Sequence, residues 1–111
     1  MENKIPHDLI VTIVNKGDAE KVVDASKKAG AEGGTIILGR GTGIHEQTRL
    51  FGIVIEPQKD IVLTLVKRKI SDQVLEAIVA RAELNKPGRG IAYVIPVERV
   101  AGITHLIPEE E

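Results

Sequence analysis

"DIVLTLV", Asp60 to Val66, repeats the length, the residue types and the threonine placement of "DLIVTIV", Asp8 to Val14. Both are short, nearly continuous runs rich in β-branched residues, the pattern of strands covered on both faces. Each is followed by a segment with a helical period. After Val14, the residues Ala19, Val22, Val23, Ser26 and Ala29 share one helical face, with Asp18 placed to cap the start and Gly30 the end. After Val66, the residues Val74, Leu75, Ile78, Val79 and Ala82 recur at helical spacing, Glu76 and Arg81 lie outside the stripe, Ser71 suits the cap, and the helix is expected to end near Leu84. A further strand closes each half: "TIILG", Thr35 to Gly39, and "IAYVIPV", Ile91 to Val97. Two strand-helix-strand halves predict one α+β domain over residues 1–111, a ferredoxin-like βαββαβ sandwich with both helices on one face.

Between the halves, from about 40 to 59, no long periodic segment occurs. "LFGIVI", Leu50 to Ile55, suits a short arm strand interrupted by Gly52 and stopped at Pro57. A loop of this length in so small a domain is usually functional. "IVLTLV" and "IAYVIP" carry apolar residues at odd and even positions alike, so the sheet face opposite the helices is apolar too and needs cover. Nothing else in the chain supplies it, which predicts self-association.

Composition narrows the function. The chain has 111 residues, 42% hydrophobic and 28% charged, with one Phe, one Tyr and no Trp, so its core is aliphatic. A net charge of -1 gives no global positive field to attract nucleic acid or acidic membranes. There is no Cys, which removes disulfides, thiolate metal sites and a thiol nucleophile and fits a reducing compartment. The start "MENKIPHDLIVTIV" has neither a signal-peptide layout nor a membrane-length span, so a cytoplasmic location without membrane insertion is expected.

"GRGTGIHEQ", Gly39 to Gln47, reads either as a flexible strand exit or as a backbone cradle for an anion; it lacks the helix of a dinucleotide motif and the Lys-Ser/Thr of a P-loop. "HEQ" has no His-Glu-x-x-His spacing, and His7, His45 and His105 are far apart, so no metal is expected. "KRK", Lys67 to Lys69, reads as a solvated turn, although three cations sit poorly at the positive end of a helix, and an anion or acidic partner nearby would ease the repulsion. In "NKPGRG", Asn85 to Gly90, Pro87 and Gly88 suit the centre of a type II turn. No nucleophile sits in a recognisable elbow or beside a base, so an enzyme is not expected.

"GTIILGRGTG" leading into a long loop, then "DIVLTLV", the second helix and "NKPGRGIAYVIPVERVAGI" resemble the PII nitrogen-regulatory signalling family from Asp8 to about His105. The most specific part is "KPGRGIAYVIPVERV", similar to that family's B-loop and the strand after it. The resemblance implies a homotrimer of ferredoxin-like subunits that binds an adenine nucleotide (ADP, AMP or ATP) between subunits and moves a T-loop to regulate a membrane transporter or metabolic enzyme. It implies that Gly41 and Gly43 form the T-loop root, that Thr35 and Leu65 lie near the adenine, and that Gly88 and Gly90 are the B-loop glycines. Glycines let backbone N–H groups approach phosphate oxygens as an anion nest, here expected from Gly41 to His45, and Lys86 and Arg89 would add charge. Glu46, Arg49, Leu50 and Phe51 would form the partner-binding part of the loop, whose apolar residues are too many to leave in water.

Departures from the family pattern limit the phosphate chemistry. "GIH", Gly43 to His45, stands where the family has Gly-Arg-Gln; Ile91 replaces the B-loop Lys; Gly102-Ile103-Thr104 replaces an Arg-x-Arg pair; and the only tyrosine, Tyr93, lies on the fourth strand rather than in the loop. Each lost cation removes charge-assisted bonds worth about 1.5–3 kcal/mol. Two functions stay open: a non-catalytic sensor reporting a nucleotide or small anion through its loop, and a CutA-like or structural trimer that binds no nucleotide.

Overall fold

The computed structural model describes residues 2–42, 48–50, 53–55 and 57–102. The two repeated runs lie in β2 (His7–Asn15) and β6 (Gln58–Lys67), which pair antiparallel from His7 opposite Lys67 to Asn15 opposite Lys59. β3 (Thr35–Arg40) flanks β6, and β7 (Gly90–Val97) flanks β2, giving an antiparallel sheet in the order β3-β6-β2-β7. Because β6 lies between β2 and β3, the first strand-helix-strand unit is split, and the fold is the expected ferredoxin-like α+β arrangement.

The alternation of the central strands explains the layering. Ile10 and Val14 of β2 and Val62 and Val66 of β6 form the core with Ala19 and Val22 of α1 (Ala19–Lys28) and Val74, Ile78 and Ala82 of α2 (Ser71–Ala82). The odd-numbered residues of both strands point to the other face. There the register aligns Ile37, Ile61, Ile13 and Ile91 in one row across all four strands, and Leu63, Val11 and Tyr93 in the next. No described element covers that face: Ile37 is 44% exposed, Ile91 56% and Tyr93 43%.

Several boundaries differ from the sequence expectation for physical reasons. Asp18 occupies the N-cap position of α1 but makes no side-chain cap bond. The cap comes instead from buried Asp60, whose Oδ2 accepts from Gly17 N at 2.9 Å and Ala19 N at 3.2 Å. Ser71 is likewise not the cap of α2. A 3-10 turn, Arg68–Ile70, runs directly into the helix, Ile70 takes the cap position, and Ser71 is a buried first-turn residue. α2 stops at Ala82, because Glu83 turns left-handed at φ 56° and Leu84 N donates to Val79 O.

The loop between β3 and β6 is shorter than 40–59, since pairing continues to Arg40 opposite Gln58 and then to Gly41 N donating to Pro57 O at 3.1 Å. Within it, β4 (Thr48–Leu50) and β5 (Ile53–Ile55) pair as a hairpin where a single short arm strand was expected. Near the termini, β1 (Glu2–Asn3) and β8 (Val100–Ala101) form a small separate ladder that the sequence pattern did not signal.

Candidate ligand site at the loop end of the sheet

The register brings two glycine-bearing segments to one end of the sheet. Val14 pairs with Gly90 on one side and with Asp60 on the other, and Asp60 pairs with Leu38; one step further, Asn15, Lys59 and Gly39 are in line. The turn before β7 and the root of the long loop therefore flank β2 and β6. Asn15 links the turn to β6: its Nδ2 donates to Gly88 O at 2.9 Å, and its Oδ1 accepts from Lys59 Nζ at 2.8 Å. Lys59 is only 7% exposed.

The turn has the predicted type II form. Arg89 N donates to Lys86 O, and Gly88 at the third position has φ 79°. Gly90 is constrained twice over. Its φ is 144°, and a Cβ there would collide with the carbonyl oxygen of Ile13 and lie 3.1 Å from Val14 Cγ1. Neither Gly39 nor Gly41 takes a positive φ: Gly39 pairs with Lys59 inside β3, and just beyond the strand Gly41 N donates to Pro57 O. A Cβ on Gly41 would meet nothing within 4 Å. Gly43, His45, Glu46 and Phe51 lie outside the described residues, while the backbones of Arg49 and Leu50 belong to β4.

Lys86 and Arg89 are not open cations. Lys86 Nζ lies 2.9 Å and Arg89 Nη2 3.2 Å from the same oxygen of Glu83. The Lys86 hydrogen bond, and then the charges of Lys86 and Arg89, lower the Glu83 carboxyl pKa. An anion arriving at this turn must compete with that carboxylate.

Thr35 and Leu65 are displaced from this end within one subunit. Thr35 pairs with Leu63 and Leu65 with Leu9, three and five residues along from the Val14 row, or about 10 and 17 Å at strand spacing. Leu65 instead lines a cleft of about 220 Å³ with Gly30, Ala31, Glu32, Lys67 and Lys69. The crowding of cations in "KRK" is relieved by an acid: Arg68 Nε donates to buried Asp8 at 2.9 Å and its Nη2 to His7 O at 3.0 Å. Among the described residues no group of three potential metal ligands forms, and buried His7 holds Ile5 O through Nδ1 at 2.7 Å. No helix among the described residues is long and apolar enough to cross a membrane.

Sequence reasoning missed Asn15, Lys59 and Asp60. Their signal is only the polar break at each end of the apolar runs, and their partners are about forty or seventy residues away in sequence.

Known proteins agree with this architecture. The crystal structure of Arabidopsis thaliana PII bound to citrate superposes with a TM-score of 0.70 over 88% of this chain and 83% of that one, at 24% identity, which establishes the fold. No curated protein matches the chain by sequence. The family model for nitrogen regulatory protein P-II matches residues 7–105, and the chain therefore belongs to the nitrogen regulatory protein P-II family.

Proposed function

We propose that this chain is a non-catalytic PII-type regulator, a cytoplasmic homotrimer that holds an adenine nucleotide or related small anion between subunits and acts on a transporter or metabolic enzyme through residues 41–57. The observation that carries the reading is the convergence of the Gly88–Gly90 turn and the Gly41 root on one end of the sheet, bordering the uncovered apolar face. A second copy packed on that face removes its isoleucines and Tyr93 from water and brings another subunit's surface beside the turn. That arrangement supplies the remainder of a nucleotide cleft, because Thr35 and Leu65 of the same subunit lie too far along the sheet. The citrate bound to the Arabidopsis relative supports a site for small anions.

The CutA-like or structural alternative draws on one observation, the neutralisation of Lys86 and Arg89 by Glu83 within the subunit. Calorimetric titration with ATP, ADP, AMP and cyclic AMP separates the two. Saturable binding of at least one nucleotide supports the regulator, and absence of heat with all four supports the structural trimer.

A further inference from the structure

At the end of the sheet away from the glycine segments, residues 4–6, Arg68, residues 96–98 and Val100 line a cleft of about 680 Å³. His7, which pairs with Val97, is seven residues along β2 from Val14, or about 23 Å at strand spacing. The volume is that of a pocket for a small organic ligand. Hydrogen bonds hold the segment before β2 in place: Arg68 N donates to Pro6 O at 2.9 Å, His7 Nδ1 donates to Ile5 O at 2.7 Å, and Glu2 and Asn3 pair with Ala101 and Val100. The family match begins at residue 7, so one side of the cleft, residues 4–6, lies outside the family pattern.

The lining carries two opposite charges that are left over. The Arg68 guanidinium is already matched by Asp8 and His7 O. Lys4 and Glu98, by contrast, are exposed, and neither has an ion-pair partner among the described residues, so they do not pair with each other. The rest of the lining is apolar, with Ile5, Val97 and Val100 half-buried. A simple anion here meets the Glu98 carboxylate, and a simple cation meets Lys4 and Arg68. A ligand that satisfies the whole lining brings an ammonium, a carboxylate and an aliphatic body together.

We propose that this cleft binds a zwitterionic dipeptide with aliphatic side chains, Glu98 accepting from its α-ammonium and Lys4 donating to its α-carboxylate. In a free amino acid both charges sit on one carbon, whereas a dipeptide separates them by a peptide unit whose Cα atoms are about 3.8 Å apart. That separation suits two lining charges that do not reach each other. Glu98 directly follows β7, so a bound dipeptide joins the segment before β2 to the end of β7. The site rests on neither the nucleotide nor the trimer.

The test uses the full chain and the dipeptide alanyl-leucine, followed by NMR amide shifts. Saturable shifts are expected at Ile5, Arg68 and Val97, and K4Q and E98Q, both at exposed positions, are each expected to weaken binding about threefold to fivefold, the size of one solvent-exposed ion pair. Two blocked probes assign the ends. N-acetyl-alanyl-leucine lacks the ammonium and is expected to be insensitive to E98Q, while alanyl-leucinamide lacks the carboxylate and is expected to be insensitive to K4Q. Absence of saturable shifts at these three residues overturns the proposal, as does equal binding of alanyl-leucine by the parent, K4Q and E98Q. Blocked probes that bind as tightly as alanyl-leucine, or free leucine that does so, overturn it as well.

Discussion

Lys59 Nζ donates to Asn15 Oδ1 at 2.8 Å, and the other end of the same amide donates to Gly88 O, so one side chain connects the long-loop root to the turn before β7. Replacing Asn15 with Leu removes both bonds and leaves a buried ammonium without that acceptor. The expected cost is about 1–3 kcal/mol in urea unfolding. The Gly88–Gly90 turn is expected to lose order, seen as faster amide hydrogen exchange at Arg89.

Gly90 and Gly41 are expected to respond oppositely to a methyl group. Gly90→Ala meets positive φ and the Ile13 carbonyl together and is expected to destabilise the fold by about 2 kcal/mol or more. Gly41→Ala adds a methyl group to open space and is expected to fall within about 0.5 kcal/mol of the parent. Parallel denaturant curves check the contrast. Equal effects at both positions would show that the turn geometry is not the constraint described.

Glu83 gives the turn a pH dependence whose sign is fixed. Its carboxyl pKa is lowered chiefly by the Lys86 hydrogen bond and then by the Lys86 and Arg89 charges. A depressed acid contributes stability above its unfolded pKa and loses it as pH falls through the folded one. The turn should therefore tighten above the ordinary carboxylate range and loosen below it. Carboxyl-carbon NMR titration is expected to find Glu83 titrating below 4.5, its ordinary value. Glu83→Gln is expected to abolish the pH effect on the turn and to strengthen anion binding at Lys86 and Arg89.

Much of the fold was legible because the signals were local. The β-branched runs of β2 and β6, the helical stripes ending at Ala82, and Pro87-Gly88 in the turn each depend on neighbours in sequence. What was missed depends on pairing across distance. Asp60 looked like a strand boundary until the sheet brought it under Gly17 and Ala19, displacing Asp18 from the capping role. Gln58 and Lys59 looked like loop because they are polar, yet ladder pairing with β3 carries the strand through them. The glycines at 39 and 41 suggested a flexible root, whereas Gly39 pairs with Lys59 in the ladder and Gly41 N is held by Pro57 O. For the candidate site, the two glycine segments were readable as motifs, but their meeting at one sheet end, with Asn15 between them, exists only through the register.

The side chains beside the turn set the expected nucleotide preference. Ile91 is 56% exposed next to Gly90, where the resembled pattern has a lysine. AMP or ADP is expected to bind at least as tightly as ATP, because Ile91 offers the third phosphate no charge-assisted contact. Competition calorimetry with the three nucleotides measures this. A strong preference of the parent chain for magnesium-ATP would contradict it.

The central claim is that the nucleotide site is completed between copies of the chain across the uncovered sheet face. Leu63, on that face between Thr35 of β3 and Val11 of β2, provides the most direct test. Leu63→Glu places charge in the proposed interface while the core residues Ile10, Val62 and Ile78 on the helical side are untouched. Sedimentation equilibrium combined with ADP titration is the decisive measurement. The account predicts a parent trimer binding one ADP per subunit and a folded Leu63→Glu monomer that does not bind ADP. A folded monomer that keeps the parent's ADP affinity would contradict it.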